Sequence, residues 1–258
     1  MLTVISPAKR LDWSNRDAAM TEPRFQDDAD ALASVARELS VDELMKLMGI
    51  SRDLAGLNAE RFARFGEDRS DRRPAAFAFA GDTYAGLEAD TLDEDALRYA
   101  QGHLRILSGL YGLLRPLDAI EAYRLEMGSR LRTEKGRSLY DWWGQRLADA
   151  LNEEARALGT GTLVNCASVE YFSAVDAGAL ELQVVTPVFL EDKPEGPRIV
   201  SFFAKKARGA MARFIVENRL TDPSELRAFD TGGYAHEPSL SEPGKPAFLR
   251  RASAEAAA

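Results

Sequence analysis

Five short apolar runs, at residues 3–6, 76–80, 163–167, 182–189 and 199–204, constrain the fold of this chain more than any other feature. Each reads as a β-strand. Amphipathic stretches with helical spacing lie between them, near 27–38, 41–48, 52–64, 94–113, 138–158, 205–218 and 223–228. The alternation is irregular and does not repeat βαβ units. It predicts an α+β fold in one domain, a mixed sheet flanked by helices. No linker divides residues 1–251, and the alanine-rich residues 252–258 read as a disordered tail.

A net charge of −8 argues, taken alone, against a nucleic-acid partner. Its distribution says otherwise. Residues 98–137 carry eight Lys/Arg against four Asp/Glu, and residues 198–219 carry six against one. Local potential governs ligand steering, so an acidic protein can own an anion-attracting cleft. Solvated helix faces are the plainer account of both segments.

Several classes are excluded early. No stretch approaches the roughly 18 apolar residues of a membrane span, and residues 1–7 lack the basic start and apolar run of a signal peptide. The lone Cys166 excludes an internal disulfide and fits a reducing compartment. Together these predict a cytoplasmic protein without membrane association. His103 and His236, the two histidines, stand far apart with no metal-ligand spacing. Walker A and Gly-x-Gly-x-x-Gly patterns are absent, so neither metal nor cofactor is expected.

The segment Leu47-Met48-Gly49-Ile50-Ser51-Arg52-Asp53-Leu54-Ala55 resembles the helix-hairpin-helix module, Leu-x-Gly-Ile-Gly-x-x-x-Ala. In that module a tight hairpin aims backbone N–H groups at a DNA phosphate without reading sequence. Here Ser51 replaces the second glycine. The plainer account is a helical corner, with Gly49 closing one helix and Ser51 capping the next.

On a helical wheel, Ala207, Ala210, Met211, Phe214 and Ile215 share one arc, and Lys205, Lys206, Arg208, Arg213 and Arg219 the opposite one. A strand feeding this helix would put Lys205 and Lys206 at its N-terminal end, where cations oppose the dipole unless an anion joins them. Leu104, Leu107, Leu110 or Tyr111, and Leu114 form a helical stripe ended by Pro116. Arg124 and Glu126 alternate with apolar neighbours, as a buried ion pair or as part of a site. The Gly81–Leu87 stretch, with two glycines, reads as a loop after a strand. Ser168 reads as a helix cap, and Trp142 and Trp143 as packing residues.

Five motifs occur in order: Ser6-Pro7-Ala8-Lys9, Gly81-Asp82-x-Tyr84-x-Gly86-Leu87, His103-Leu104-Arg105-x-Leu107-Ser108-Gly109-Leu110-Tyr111-Gly112, Tyr123-Arg124-Leu125-Glu126-Met127-Gly128 and Ala204-Lys205-Lys206-Ala207-Arg208-Gly209. Over residues 1–251 this set closely resembles the YaaA peroxide-stress protein family. The resemblance implies a cytosolic protein of the hydrogen-peroxide response that helps limit intracellular iron. It also implies one domain of unusual fold, with a helix-hairpin-helix element and a basic DNA-binding cleft. By position the hairpin would be Gly49, Ile50, Ser51 and Arg52, and charge and motif position assign Lys9, Arg105, Arg124, Lys205, Lys206 and Arg208 to the cleft. The family usually carries an aliphatic residue where Cys166 stands, so no peroxide-sensing role is assigned to the thiol. DNA is thus the expected partner of a monomer. The alternative is an enzyme for a nucleotide or nucleic acid, with Lys9, Asp82, Tyr111, Arg124 and Glu126 in one pocket and Asp82 or Glu126 as its acid–base group.

Overall fold

The computed structural model describes residues 1–16 and 18–251; the tail expected at 252–258 lies outside the described residues. In chain order the strands are β1 (Leu2–Ile5), β2 (Arg10–Leu11), β3 (Arg73–Pro74), β4 (Phe79–Ala80), β5 (Leu104–Ser108), β6 (Gly112–Leu114), β7 (Ala119–Ile120), β8 (Thr162–Cys166), β9 (Gln183–Val185), β10 (Val188–Glu191), β11 (Tyr234–His236) and β12 (Ala247–Arg250). The α-helices are α1 (Gln26–Arg37), α2 (Val41–Met48), α3 (Arg52–Arg64), α4 (Ala75–Ala78), α5 (Asp82–Leu87), α6 (Glu94–His103), α7 (Leu139–Trp143), α8 (Arg146–Ala157), α9 (Val169–Phe172) and α10 (Ser201–Glu217).

The expected mixed sheet is present, with strand order β6-β5-β1-β8-β9. Strand β1 pairs in parallel with β5 on one side (Thr3↔Leu104) and β8 on the other (Leu2↔Leu163), and β9 extends the parallel run. Only β6 runs antiparallel, at the edge. All residues of β1 and β5 are buried. Strands covered on both faces lose alternation and read as continuous apolar runs. A second sheet, β10-β12-β11, and the short pairs β2–β4 and β3–β7 complete the set.

Five expectations need correction. The stripe at 94–113 is helical only to His103; Leu104 and Leu107 belong to β5 and Leu114 to β6. Leucines at helical spacing inside a fully buried strand fit both periods, so the pattern misleads. Residues 76–80 hold the one-turn α4 before β4, not a single strand. The run at 182–189 divides into β9 and β10, which join different sheets. Residues 199–204 are not a strand, because α10 starts at Ser201.

The Gly81–Leu87 stretch is likewise no loop. It forms α5, which crosses α10 backbone against backbone. A Cβ on Gly209 would lie 1.7 Å from the Thr83 carbonyl oxygen, and one on Gly86 2.0 Å from that of Lys206. The glycines are there because nothing larger fits. This crossing fixes the basic helix against β1 and β8. Among the described residues no helix is long and apolar enough to cross a membrane.

Candidate nucleic-acid interface

Parallel strands on both sides of β1 end at one edge, and crevices for ligands open at such carboxyl ends. Here the loops after β1 and β8 are tied together. The Ser168 N–H donates to Ser6 Oγ (2.9 Å), and the two hydroxyls lie 3.3 Å apart. Tyr84 reaches in from α5 and donates its hydroxyl to the Ser6 carbonyl (3.3 Å). Ser168 also caps α9, as its position suggests.

Just beyond Ser6, Lys9 meets the Tyr123–Gly128 motif. Glu126 Oε1 accepts from Arg124 Nη2 at 3.0 Å and Nε at 3.2 Å, and Lys9 Nζ stands 3.1 Å from the same oxygen. The Lys9 side chain is 65% exposed, those of Arg124 and Glu126 only 16%. Burial pushes the Tyr123 and Tyr171 phenols beside them well above their ordinary range, so both stay neutral. The cavity among these groups measures about 10 Å³. That is about the room one water needs.

From Tyr123 the chain continues as a rail. Tyr123, Leu125, Met127, Ser129 and Leu131 are buried, while Arg124, Glu126, Gly128, Arg130 and Arg132 face outward. One turn interrupts it, closed by the Ser129 N–H to the Glu126 carbonyl (2.9 Å). Gly109 sets its position. A Cβ there would lie 2.4 Å from the Leu125 carbonyl oxygen, and the Gly109 carbonyl accepts from Trp143 Nε1 (3.1 Å). Trp143 therefore packs, as expected, and also anchors the rail's support. Arg130 and Arg132 lie outside the motifs that the sequence singles out. The alternation Ser129-Arg130-Leu131-Arg132 is the signal that could have found them.

The rail leads to α2. Between them lies an open groove of about 550 Å³, with Leu39, Leu47 and Leu131 in its lining and Lys46, Arg130 and Arg132 beside them. Helix α2 starts with a capping box at Ser40 and Glu43 and ends at Gly49, whose φ of 61° is left-handed. Ser51 then caps α3 by accepting from the Leu54 N–H. The corner of Gly49, Ser51 and Arg52 is exposed, with Ile50 half-buried, and Arg52 reaches back to pair with Asp42.

Helix α10 supplies the remaining cations. Lys205 and Lys206 are exposed but sit a full turn inside α10 rather than at its N-terminal end, so the dipole argument for an anion there does not hold. Arg208 is half-buried near Cys166, at the carboxyl end of β8. Arg213 leaves the basic face altogether: it donates to the carbonyls of Leu87 and Glu88 and pairs with Glu217. Among the described residues, Lys46, Arg130, Arg132, Lys205 and Lys206 have no carboxylate within 4 Å.

Arg105 does not join these groups. It is the second residue of β5, is 5% exposed, and is bound to Glu154 of α8 (2.6 Å) and to the carbonyls of Gln101 and Leu104. Tyr111 is also fully buried, where it accepts from the Glu121 N–H. Asp82 starts α5, and the β2–β4 pairing of Arg10 with Ala80 carries it alongside the Ala8–Lys9 segment. Glu126 has one carboxylate oxygen committed to both Arg124 and Lys9. Burial raises the Cys166 thiol to about 12, which keeps it neutral.

The Lys9–Arg124 cluster and the rail to α2 therefore form one extended, partly basic surface, and the α10 lysines form a second exposed basic site. The family model described as peroxide stress protein YaaA matches residues 1–240. A UPF0246 protein of Jannaschia sp. is 68% identical over 258 residues, the full length of both chains. UPF0246 proteins of Ruegeria pomeroyi and Cereibacter sphaeroides are 64% and 60% identical, each over 97% of this chain and 98% and 99% of their own. With matches that cover nearly its whole length, this chain belongs to the YaaA peroxide-stress protein family.

Proposed function

We propose that this protein acts in the peroxide-stress response as a monomeric DNA-binding protein that grips phosphates without reading sequence. The observation that carries the reading is the row of exposed, unpaired cations, Lys46, Arg130 and Arg132, between the α2–α3 corner and the Lys9–Arg124 cluster. Phosphate contacts supply most non-specific affinity, and such a row tracks a backbone rather than a single group. In this reading the corner serves as a helix-hairpin-helix element, presenting the backbone N–H groups of Ser51 and Arg52 to one phosphate, while the Ile50 N–H donates to the Met45 carbonyl. Lys205, Lys206 and Arg208 contribute from α10. A protein lying along DNA keeps iron-driven radical chemistry away from the backbone, which links binding to the limiting of iron-driven damage.

An enzymatic role finds less support, because Glu126 is held by two cations beside a small cavity, and the roomier cavity of about 590 Å³ near Asn165 and Val169 has none of Lys9, Asp82, Tyr111, Arg124 and Glu126 in its lining. The test is a titration of labelled duplex, bubble and single-stranded DNA at several salt concentrations. Log affinity should fall linearly with log salt, by about 0.9 per phosphate neutralised. Charge reversal at Arg130 and Arg132 should weaken binding to all three. No binding, or binding indifferent to both salt and reversal, would overturn the reading.

A further inference from the structure

Helix α10 begins with an aromatic side chain that phosphate binding leaves unused. Phe202 is 55% exposed. A single exposed hydrophobic residue is ordinary and needs no explanation. Two further observations set this one apart.

The first is bracing. The Phe202 ring packs edge-on against Phe203, with centroids 5.4 Å apart at 70°. Phe203 lies under the guanidinium of Arg250, which is 3.9 Å above its ring. Arg250 is held by Glu191 through Nε (2.9 Å) and Nη2 (2.8 Å), and buried Glu191 also accepts from the Tyr234 hydroxyl. This chain of contacts reaches from the second sheet to the surface. It fixes Phe203, and Phe202 stands on it with its ring exposed to solvent.

The second is charge. Lys205 and Lys206 follow at i+3 and i+4, on the same side of the helix as Phe202. Both are exposed and without a carboxylate partner among the described residues. An exposed ring packed on Phe203, one turn from two ammonium groups, has the make-up of a single-strand platform, where bases stack on aromatic faces and phosphates are held by cations. The nearest other exposed apolar side chain in sequence is Ile199, and two such residues are too little for an apolar protein interface or a membrane anchor.

We propose that Phe202 stacks an unpaired base of a nucleic-acid strand, with the neighbouring phosphates held by Lys205 and Lys206. The proposal rests on the DNA reading above and deepens it: an unstacked base is available in a single strand or a bubble, and not within a duplex. Sequence specificity is not implied, since every base has a face to stack.

The experiment uses the full chain with three fluorescently labelled DNAs: a duplex, a bubble and a single strand. Phe202→Ala should weaken bubble and single-strand binding about tenfold and leave duplex binding unchanged. Phe202→Leu, apolar but without a ring, should behave as the alanine variant. Phe202→Trp should restore affinity, and its fluorescence should be quenched by the single strand. Lys205→Ala with Lys206→Ala should flatten the salt dependence for the single strand. Alanine and wild-type chains that bind single strands equally would overturn the stacking proposal. So would an equal loss on duplex, or ring-dependent binding to phosphatidylglycerol vesicles with none to single strands. If the wild-type chain binds none of the three DNAs, the DNA reading itself fails. If it binds duplex with a steep salt slope but ignores the ring at 202, only the stacking fails.

Discussion

Lys9 and Arg124 share one oxygen of Glu126: the ammonium stands 3.1 Å away and the guanidinium 3.0 Å. A carboxylate placed between two cations occupies the position a phosphate oxygen would take. Glu126→Gln should therefore release both cations for DNA, raising affinity severalfold at low salt. The slope of log affinity against log salt should steepen by about 1–2, one phosphate for each freed cation. A fluorescence-anisotropy titration at four salt concentrations measures both. An unchanged slope would show that the cluster lies off the DNA path.

Gly209 faces the Thr83 carbonyl so closely that a Cβ would overlap it at 1.7 Å. Gly209→Ala should force the two helices apart and cost about 3 kcal/mol or more, read as a lower urea midpoint. Gly56→Ala is the contrast. Gly56 lies inside α3, and a methyl group there would meet nothing within 4 Å, so alanine should stabilise by about 0.5–1 kcal/mol.

Arg105, although basic and inside a shared motif, pairs with Glu154 within the fold. Arg105→Ala should lower stability by about 3 kcal/mol, because it leaves half-buried Glu154 with only the more distant Arg24, 3.8 Å away. DNA affinity measured well below the unfolding temperature should hold. A selective loss of DNA binding with intact stability would put Arg105 back in the interface.

Cys166 is buried at the end of β8, and burial raises its thiol to about 12, while the nearby Arg208 opposes the shift. A thiol without thiolate character resists peroxide and alkylation. The folded chain should react with iodoacetamide at pH 8 only as fast as it unfolds. The folded state disfavours the thiolate, so this group leaves stability unchanged below the ordinary thiol value of 9.0 and lowers it as pH rises from there towards 12. Cys166→Ala should reduce that alkaline loss, measured as urea midpoints at pH 8 and 10.

The parts of this molecule legible in the sequence are those decided locally. Ser40, Gly49 and Ser51 are capping residues at their proper places, so α2, the corner and α3 can be read directly. Strand β1 and residues 163–166 are readable because their apolar runs have no competing helical spacing. The 104–114 segment is not, since burial on both faces erases alternation and leaves leucines that satisfy either period. At 199–204 an apolar run hides a helix start, and with it the exposure of Phe202. The cleft residues divide on the same ground. Lys9 and Arg124 meet through Glu126, but nothing near Arg105 in sequence announces Glu154, 49 residues away. Arg130 and Arg132 escape notice because they lie in no regular element, although burial alternates around them as in a strand.

Strand β1 sits between β5 and β8, and its register needs Leu104 on one side and Leu163 on the other. During synthesis at about 5–20 residues per second, roughly 100 further residues must emerge before its first neighbour exists. Leu2, Val4 and Ile5, fully buried in the finished protein, therefore stay without a strand partner for about 5–20 seconds. The apolar segment that centres the sheet thus leaves the ribosome long before the strands that cover it, and each new copy carries that exposed edge for the whole interval.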